Sequence, residues 1–206
     1  MPLRRCIAVI GVALVVALSS LPSDAAGAPS HDPAKFVKWL GDEAIAILST
    51  PNATPEERKE RYRDLLDRGF AVDTIARFVL GRHWRAATSE QRAQYRRLFR
   101  EYVLDTYAER LEGYAGQTFE ILKAVPLNDV DTIVRTEIRQ PNGPPIRVDY
   151  RVRQRSEAFK VIDVQVEGVS LITTQRSEFN SIIARDGIDG LLELLREYGP
   201  DVVKPK

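Results

Sequence analysis

Residues 146–153, IRVDYRVR, alternate without a break: Ile146, Val148, Tyr150 and Val152 on one parity, Arg147, Asp149, Arg151 and Arg153 on the other. A period of two has one regular solution, an extended strand with one dry face and one wetted face. Sheets covered on a single side are antiparallel as a rule, because parallel connections place helices on both faces. Three comparable stretches surround it, TFEILKAV, TIVRTEIR and FKVIDVQV, separated by turn-rich segments of which LNDVD and QPNGPP are the clearest. Connections this short predict an antiparallel meander of about four strands. The fourth strand lacks a polar face of equal quality, since Val161, Ile162, Val164 and Val166 fall on both parities. It reads as central or covered twice.

Helical spacing dominates on either side of this block. Phe36, Val37, Leu40, Ala44, Ile47 and Leu48 recur at three and four residues before the stop signal at Ser49 to Ala53. Thr54, Pro55 and Glu57 form the pattern of an N-cap, a first-turn proline and a capping-box acid, opening a helix that runs to Gly69. A short helix follows in VDTIARFVLG, where Asp73 is placed to cap and Gly81 to end it. Thr88 and Gln91 repeat the capping box ahead of the longest stripe in the chain: Tyr95, Leu98, Phe99, Tyr102, Val103, Thr106, Tyr107, Leu111 and Tyr114. Each ring can be plain core, but a buried phenol needs a partner and favours the rim of a cavity. After Gly168, Leu171 opens a segment with Phe179, Ile182 and Ile183 at helical spacing, and GIDGLLELLREYG supplies a last helix ending at Gly199-Pro200. The architecture expected is α+β, helices, then a curved meander covered most simply by the long aromatic helix, then helices returning.

Charge and the first thirty residues set the compartment. The chain of 206 residues has 30 basic and 29 acidic side chains, so no global excess drives binding to nucleic acid or an anionic surface. The cluster RVDYRVRQR reads as a solvated strand face. Arg4 and Arg5 precede an apolar run from Cys6 to Leu18, too short to span a bilayer, then small residues suited to cleavage near Ala26 or Ala28. Residues 1–28 are expected to be a signal peptide and residues 29–206 one mature unit. Cleavage removes the only cysteine, which suits export to an oxidising compartment such as a periplasm.

The search for catalytic chemistry returns mostly negatives. His31 and His83 are the only histidines and neither has a metal-site spacing partner, so no metal site is expected. There is no GxSxG elbow, glycine-rich phosphate loop or HEXXH segment, and no cofactor is implied. One enzymatic reading survives. A curved sheet wrapped on helices can bury an acid beside a tyrosine, as ketosteroid isomerase does, and Asp163 with Tyr150 would be the pair here. Asp163 serves equally well as a buried partner for backbone or arginine.

Four long stretches carry a resemblance: VDTIARFVLGRHWRAATSEQR, RLFREYVLDTYAERLEGYAG, KVIDVQVEGVSLITTQRSEF and GIDGLLELLRE. Together they resemble the MlaC family over almost the whole chain from Asp32 to Tyr198. The resemblance implies periplasmic phospholipid-binding proteins of the Mla lipid transport system, often described as toluene-tolerance auxiliary proteins, and not enzymes. It implies a helical lobe joined to an NTF2-like α+β lobe around an apolar cavity for the acyl tails of a glycerophospholipid. Implied partners are an inner-membrane ABC transporter complex and an outer-membrane lipoprotein associated with a porin, and no nucleic acid.

On that resemblance the expected lipid-binding wall takes Phe78 and Val79 from the short helix and Leu98, Tyr102, Val103 and Tyr107 from the long one. The strands would add Val134 and Ile138, then Val148, Tyr150 and Val152, then Val164 and Val166. Val169 and Leu171 continue it beyond a turn at Glu167-Gly168, with Arg176 and Glu178 facing outward. For any one of these positions, simple core packing is the competing reading.

Overall fold

The structure is a computed structural model that describes residues 31–111, 116–141, 143–156 and 158–197, with backbone alone for residues 107–111. The expected signal peptide, the side chains of Tyr107, Leu111 and Tyr114, and the stop at Gly199-Pro200 lie outside the described residues.

Local chemistry sets the helices. Asp32 caps α1 (Pro33–Leu48) by accepting from the backbone N–H of Ala34 at 2.8 Å and of Lys35 at 3.3 Å. In α2 (Pro55–Gly69) the Glu57 N–H donates to Thr54 Oγ1 and the Thr54 N–H to Glu57 Oε2, so both halves of the capping box form. Thr88 and Gln91 make the same reciprocal pair at the head of α5 (Ser89–Leu111). Between these lie α3 (Val72–Leu80) and the single turn α4 (His83–Ala86), the latter too short for periodicity to reveal. Asp73 does not cap α3: its N-cap is Ala71, which has no side-chain hydrogen bond. That backbone is held from the sheet instead, with the Ala71 N–H donating to the Val161 carbonyl at 3.0 Å.

The expected strands form β1 (Thr118–Pro126), β2 (Asp131–Arg139), β3 (Ile146–Arg155) and β4 (Ala158–Val166). A two-residue β5 (Val169–Ser170) completes an antiparallel sheet in the order β1-β2-β3-β4-β5. Glu167 and Gly168 both have positive φ, the conformation a two-residue hairpin demands, and glycine adopts it without steric cost. In β4 the register slips where Arg151 pairs with Asp163 but Val152 pairs with Val161. The extra residue, Ile162, is a bulge that shifts side-chain parity. It accounts for the apolar residues of this strand falling on both parities.

Ser170 then caps α6 (Leu171–Glu197), its Oγ accepting from the Thr173 N–H at 3.2 Å. The two helices expected here run as one element broken at Gly187, whose φ of 73° and ψ of 180° interrupt the helix.

Placement of the helices differs from expectation in one respect. The sheet is covered by α1, which lies on β1 and β2, while α5 packs on α2, α3 and α6. Two cores result. One is helical, built on Tyr95, Phe99, Tyr102, Phe179, Leu191 and Leu192. The other joins Phe36, Val37 and Leu65 to Val134, Val152, Phe159 and Val161 of the sheet. Lys160 of β4 ties the two layers together, donating to the Asp67 and Arg68 carbonyls at the end of α2, both at 2.7 Å. The outer face of the sheet is charged and paired: buried Asp131 accepts from Arg151 and Arg153, and Arg139 meets Glu120 and Glu137.

Candidate functional site: an apolar cavity between helices and sheet

Because α5 stands off the sheet, a space of about 590 Å³ remains between them, within the size range of small-molecule and cofactor sites. Both cores border it. The helical core supplies Val72, Val79, Phe99 and Tyr102, and the core under α1 supplies Leu40, Leu65, Leu104 and Val161. Ala44, Ile45 and Leu48 close the α1 side; Phe119, Ile138, Ile146 and Tyr150 come from the strands, and Leu171 and Ile172 from the start of α6.

Of the expected wall, Val79, Tyr102, Val103, Ile138, Tyr150, Val164 and Leu171 border this cavity. Val134, Val148 and Val152 do not; they are 0–5% exposed and packed into the protein. Leu98 packs against the helical core, and Val166 pairs with Val169 in the last hairpin. Phe78 and Val169 are surface residues, 42% and 58% exposed. Strand parity places a residue on a face, but only the position of the covering helix decides whether that face meets side chains or space. Glu178, expected to point outward, borders the cavity, and Arg176 lies over the Phe78 ring at 4.9 Å. The α1 wall was missed altogether. Its stripe was visible as an apolar face, with no signal that the opposite side was open.

Polar groups reach the cavity from α5 and α6, and from Gln117, Thr118 and Gln140 at the ends of β1 and β2. The Tyr102 hydroxyl donates to Gln175 Oε1 at 2.7 Å, and Gln175 Nε2 donates to Glu178 Oε2 at 3.1 Å. The Thr106 hydroxyl is buried without a hydrogen-bond partner among the described residues. Tyr150 is only part-buried by surface yet surrounded by protein, since its open surface faces the cavity; desolvation pushes its phenol up to about 12. It stays a neutral donor, and its ring packs edge-on against Phe119 at 6.1 Å.

Asp163 borders the same cavity beside Val164. Its Oδ1 accepts from Ser170 Oγ at 3.1 Å, linking β4 to the cap of α6. The acid and phenol of the enzymatic reading therefore share one cavity, with the acid engaged in a structural hydrogen bond. Among the described residues no group of three His, Cys, Asp or Glu side chains is placed to hold a metal ion.

A curved antiparallel sheet and a helical lobe around a largely apolar space define a hollow α+β protein. The family described as MlaC protein matches residues 39–197. The chain belongs to the MlaC family. It is 30% identical over 123 residues to the intermembrane phospholipid transport system binding protein MlaC of Haemophilus influenzae. That match covers 58% of this chain and 58% of the relative, so the chain spans less than two thirds of that relative's length. Among solved structures, a phospholipid-binding protein from Ralstonia solanacearum in complex with a phospholipid superposes with a TM-score of 0.69 at 28% identity, over 82% of this chain and 97% of that one.

Proposed function

We propose that the protein is a periplasmic carrier that encloses the acyl tails of a glycerophospholipid in the cavity and shuttles it between membrane complexes. The observation that carries this reading is the apolar space between α5 and the sheet, supported by the likeness to the phospholipid-binding protein from Ralstonia solanacearum in complex with a phospholipid. Residues 1–28 act as the export signal and residues 29–206 as the lipid-binding unit. The donor and acceptor complexes are an inner-membrane ABC transporter assembly and an outer-membrane lipoprotein with its porin.

Within the cavity, Val79, Val103, Ile138, Val164 and Leu171 contact the tails, while the hydroxyls of Tyr150 and Thr106 offer donors to ester carbonyls. Removing methylenes from water is worth roughly 0.8 kcal/mol each, so two long tails represent on the order of 20 kcal/mol gross. Water cannot carry such a molecule unaided. The bilayer interior is equally apolar, so exchange between membrane and cavity lies near balance and no chemical step is needed. Direction comes from the complexes at either end, because a site with equal affinity at both moves nothing uphill.

The test is delipidation followed by incubation with phospholipid vesicles and re-isolation. Uptake of diacyl phospholipid in a defined ratio supports the carrier; protein recovered without lipid counts against it.

A further inference from the structure

We infer that the corner formed by α3, α4 and the start of α5 is a docking surface for an acidic protein partner. Arg77, Arg82, Arg85 and Arg96 are exposed there and Arg92 is half-buried; Arg82 donates to His83 Nε2 at 3.4 Å, and none of the five is among the ion pairs of the described residues. Some arginines elsewhere are matched, Arg63 with Glu60 and Glu101, Arg100 with Asp67, Arg151 and Arg153 with Asp131, while others such as Arg147 and Arg155 are not; what sets this corner apart is that several uncompensated arginines gather on one ring. Of the nearby acids two are engaged otherwise, and Asp73, one turn before Arg77 on α3, is exposed and forms no ion pair among the described residues. Glu90 takes the Ser89 hydroxyl at 3.4 Å, and Asp189 takes Gln91 Nε2 at 2.8 Å.

The cations converge rather than disperse. Arg77, Arg92 and Arg96 lie 6.0, 5.9 and 5.7 Å from the centroid of the Trp84 ring. Gathering like charges on one indole has a repulsive cost that cation–π attraction offsets only in part. Arg92 is held further by donating to the Ala87 carbonyl at 3.1 and 2.8 Å. Arg77, Arg85 and Arg96 keep planar forks with donors to spare, the geometry that reads carboxylates in pairs.

Shape selects the partner class. A recess of about 300 Å³ between α3 and α4 is lined by Thr74, Arg77, Phe78, Gly81, Trp84 and Arg85. An aromatic floor ringed by arginine is the composition of an interface centre that accepts a partner's side chain. A bilayer anchor projects several apolar side chains outward; here, among the described residues, Phe78 alone of the large apolar side chains is exposed, with Arg176 lying over its ring at 4.9 Å, and Trp84 is half-buried among the guanidinium groups. The same helix separates this surface from the cavity, with Val72, Ile75 and Val79 on one side and Thr74, Arg77 and Phe78 on the other. The inference stands on charge and shape and does not depend on what the cavity holds.

The probe is a soluble glutamate-rich peptide titrated at low ionic strength into isotope-labelled protein of the mature chain. The account predicts amide shifts confined to residues 74–96 and an affinity that falls with salt. It also predicts about tenfold weaker binding for the double reversal Arg77→Glu and Arg85→Glu, and a smaller loss for Arg77→Gln with Arg85→Gln. Reversing Arg147 and Arg155 on the sheet should leave binding unchanged. Thermal melts of each variant exclude unfolding as the cause. Absence of peptide binding, shifts spread over the sheet, or equal effects of the two reversals would overturn the assignment. So would binding to vesicles of phosphatidylglycerol, lost in the Arg77 and Arg85 reversal, with no binding to the peptide.

Discussion

A Cβ built on Gly41 in α1 would lie 2.4 Å from Cδ1 of Phe119 in β1. Both residues border the cavity, so the close crossing of helix over strand is also part of the site wall. Alanine at 41 gains helix propensity, about 1 kcal/mol over glycine. The clash is with a side chain that has open space beside it, so the Phe119 ring can move into the cavity. Gly41→Ala is therefore expected to keep its melting temperature within about 4 °C of wild type while lipid uptake from vesicles drops. Equal losses of both would show that the ring has nowhere to go.

Val164 and Val152 separate lining from packing. Val164 borders the cavity, whereas Val152 is 1% exposed in the core under α1. Val164→Trp should lower lipid occupancy with little change in stability. Val152→Trp should cost about 1–3 kcal/mol through overpacking. Chemical denaturation and lipid quantification on both variants check the pair.

The fold was legible wherever local chemistry determined it. The capping boxes at Thr54 and Thr88 formed as read, and the alternation at Ile146 to Arg153 produced the strand with its charged outer face. The site was legible only in part, because periodicity reports which face of an element is apolar and not what stands opposite. Val134, Val148 and Val152 share the dry face with Tyr150, yet α1 and α2 fill the space in front of Val134 and Val152, while Tyr150 looks into the cavity. The bulge at Ile162 left a local trace, apolar residues on both parities of the strand, but its position is set by sheet register, a long-range property.

Asp131 is 1% exposed and hydrogen-bonded by Arg153 and Arg151, which hold its carboxyl down at about 2 from the usual 3.8. A depressed carboxyl stabilises the fold above its unfolded-state pKa and loses that contribution as pH falls through the folded value. Stability should thus decline between about pH 4 and pH 2, and Asp131→Asn should remove about 2 kcal/mol at neutral pH together with that portion of the acid dependence. Urea titrations at several pH values measure it, and an unaltered acid profile in the variant would assign the decline to other carboxylates.

Asp163 distinguishes a carrier from an isomerase-like enzyme. Its Oδ1 accepts from Ser170 Oγ, a bond that an amide oxygen can preserve. Asp163→Asn is expected to take up phospholipid within about twofold of wild type, with a stability change near 1 kcal/mol. Turnover of a small ketosteroid by the wild type, abolished in the variant, would favour the enzymatic reading.

Native mass spectrometry of the mature protein purified gently from cells addresses the central claim, that the space between α5 and the sheet holds lipid, most directly. The account predicts a species heavier by the mass of a diacyl phospholipid, present in wild type and depleted in Val164→Trp. A spectrum of protein alone, unchanged after exposure to vesicles, would contradict it.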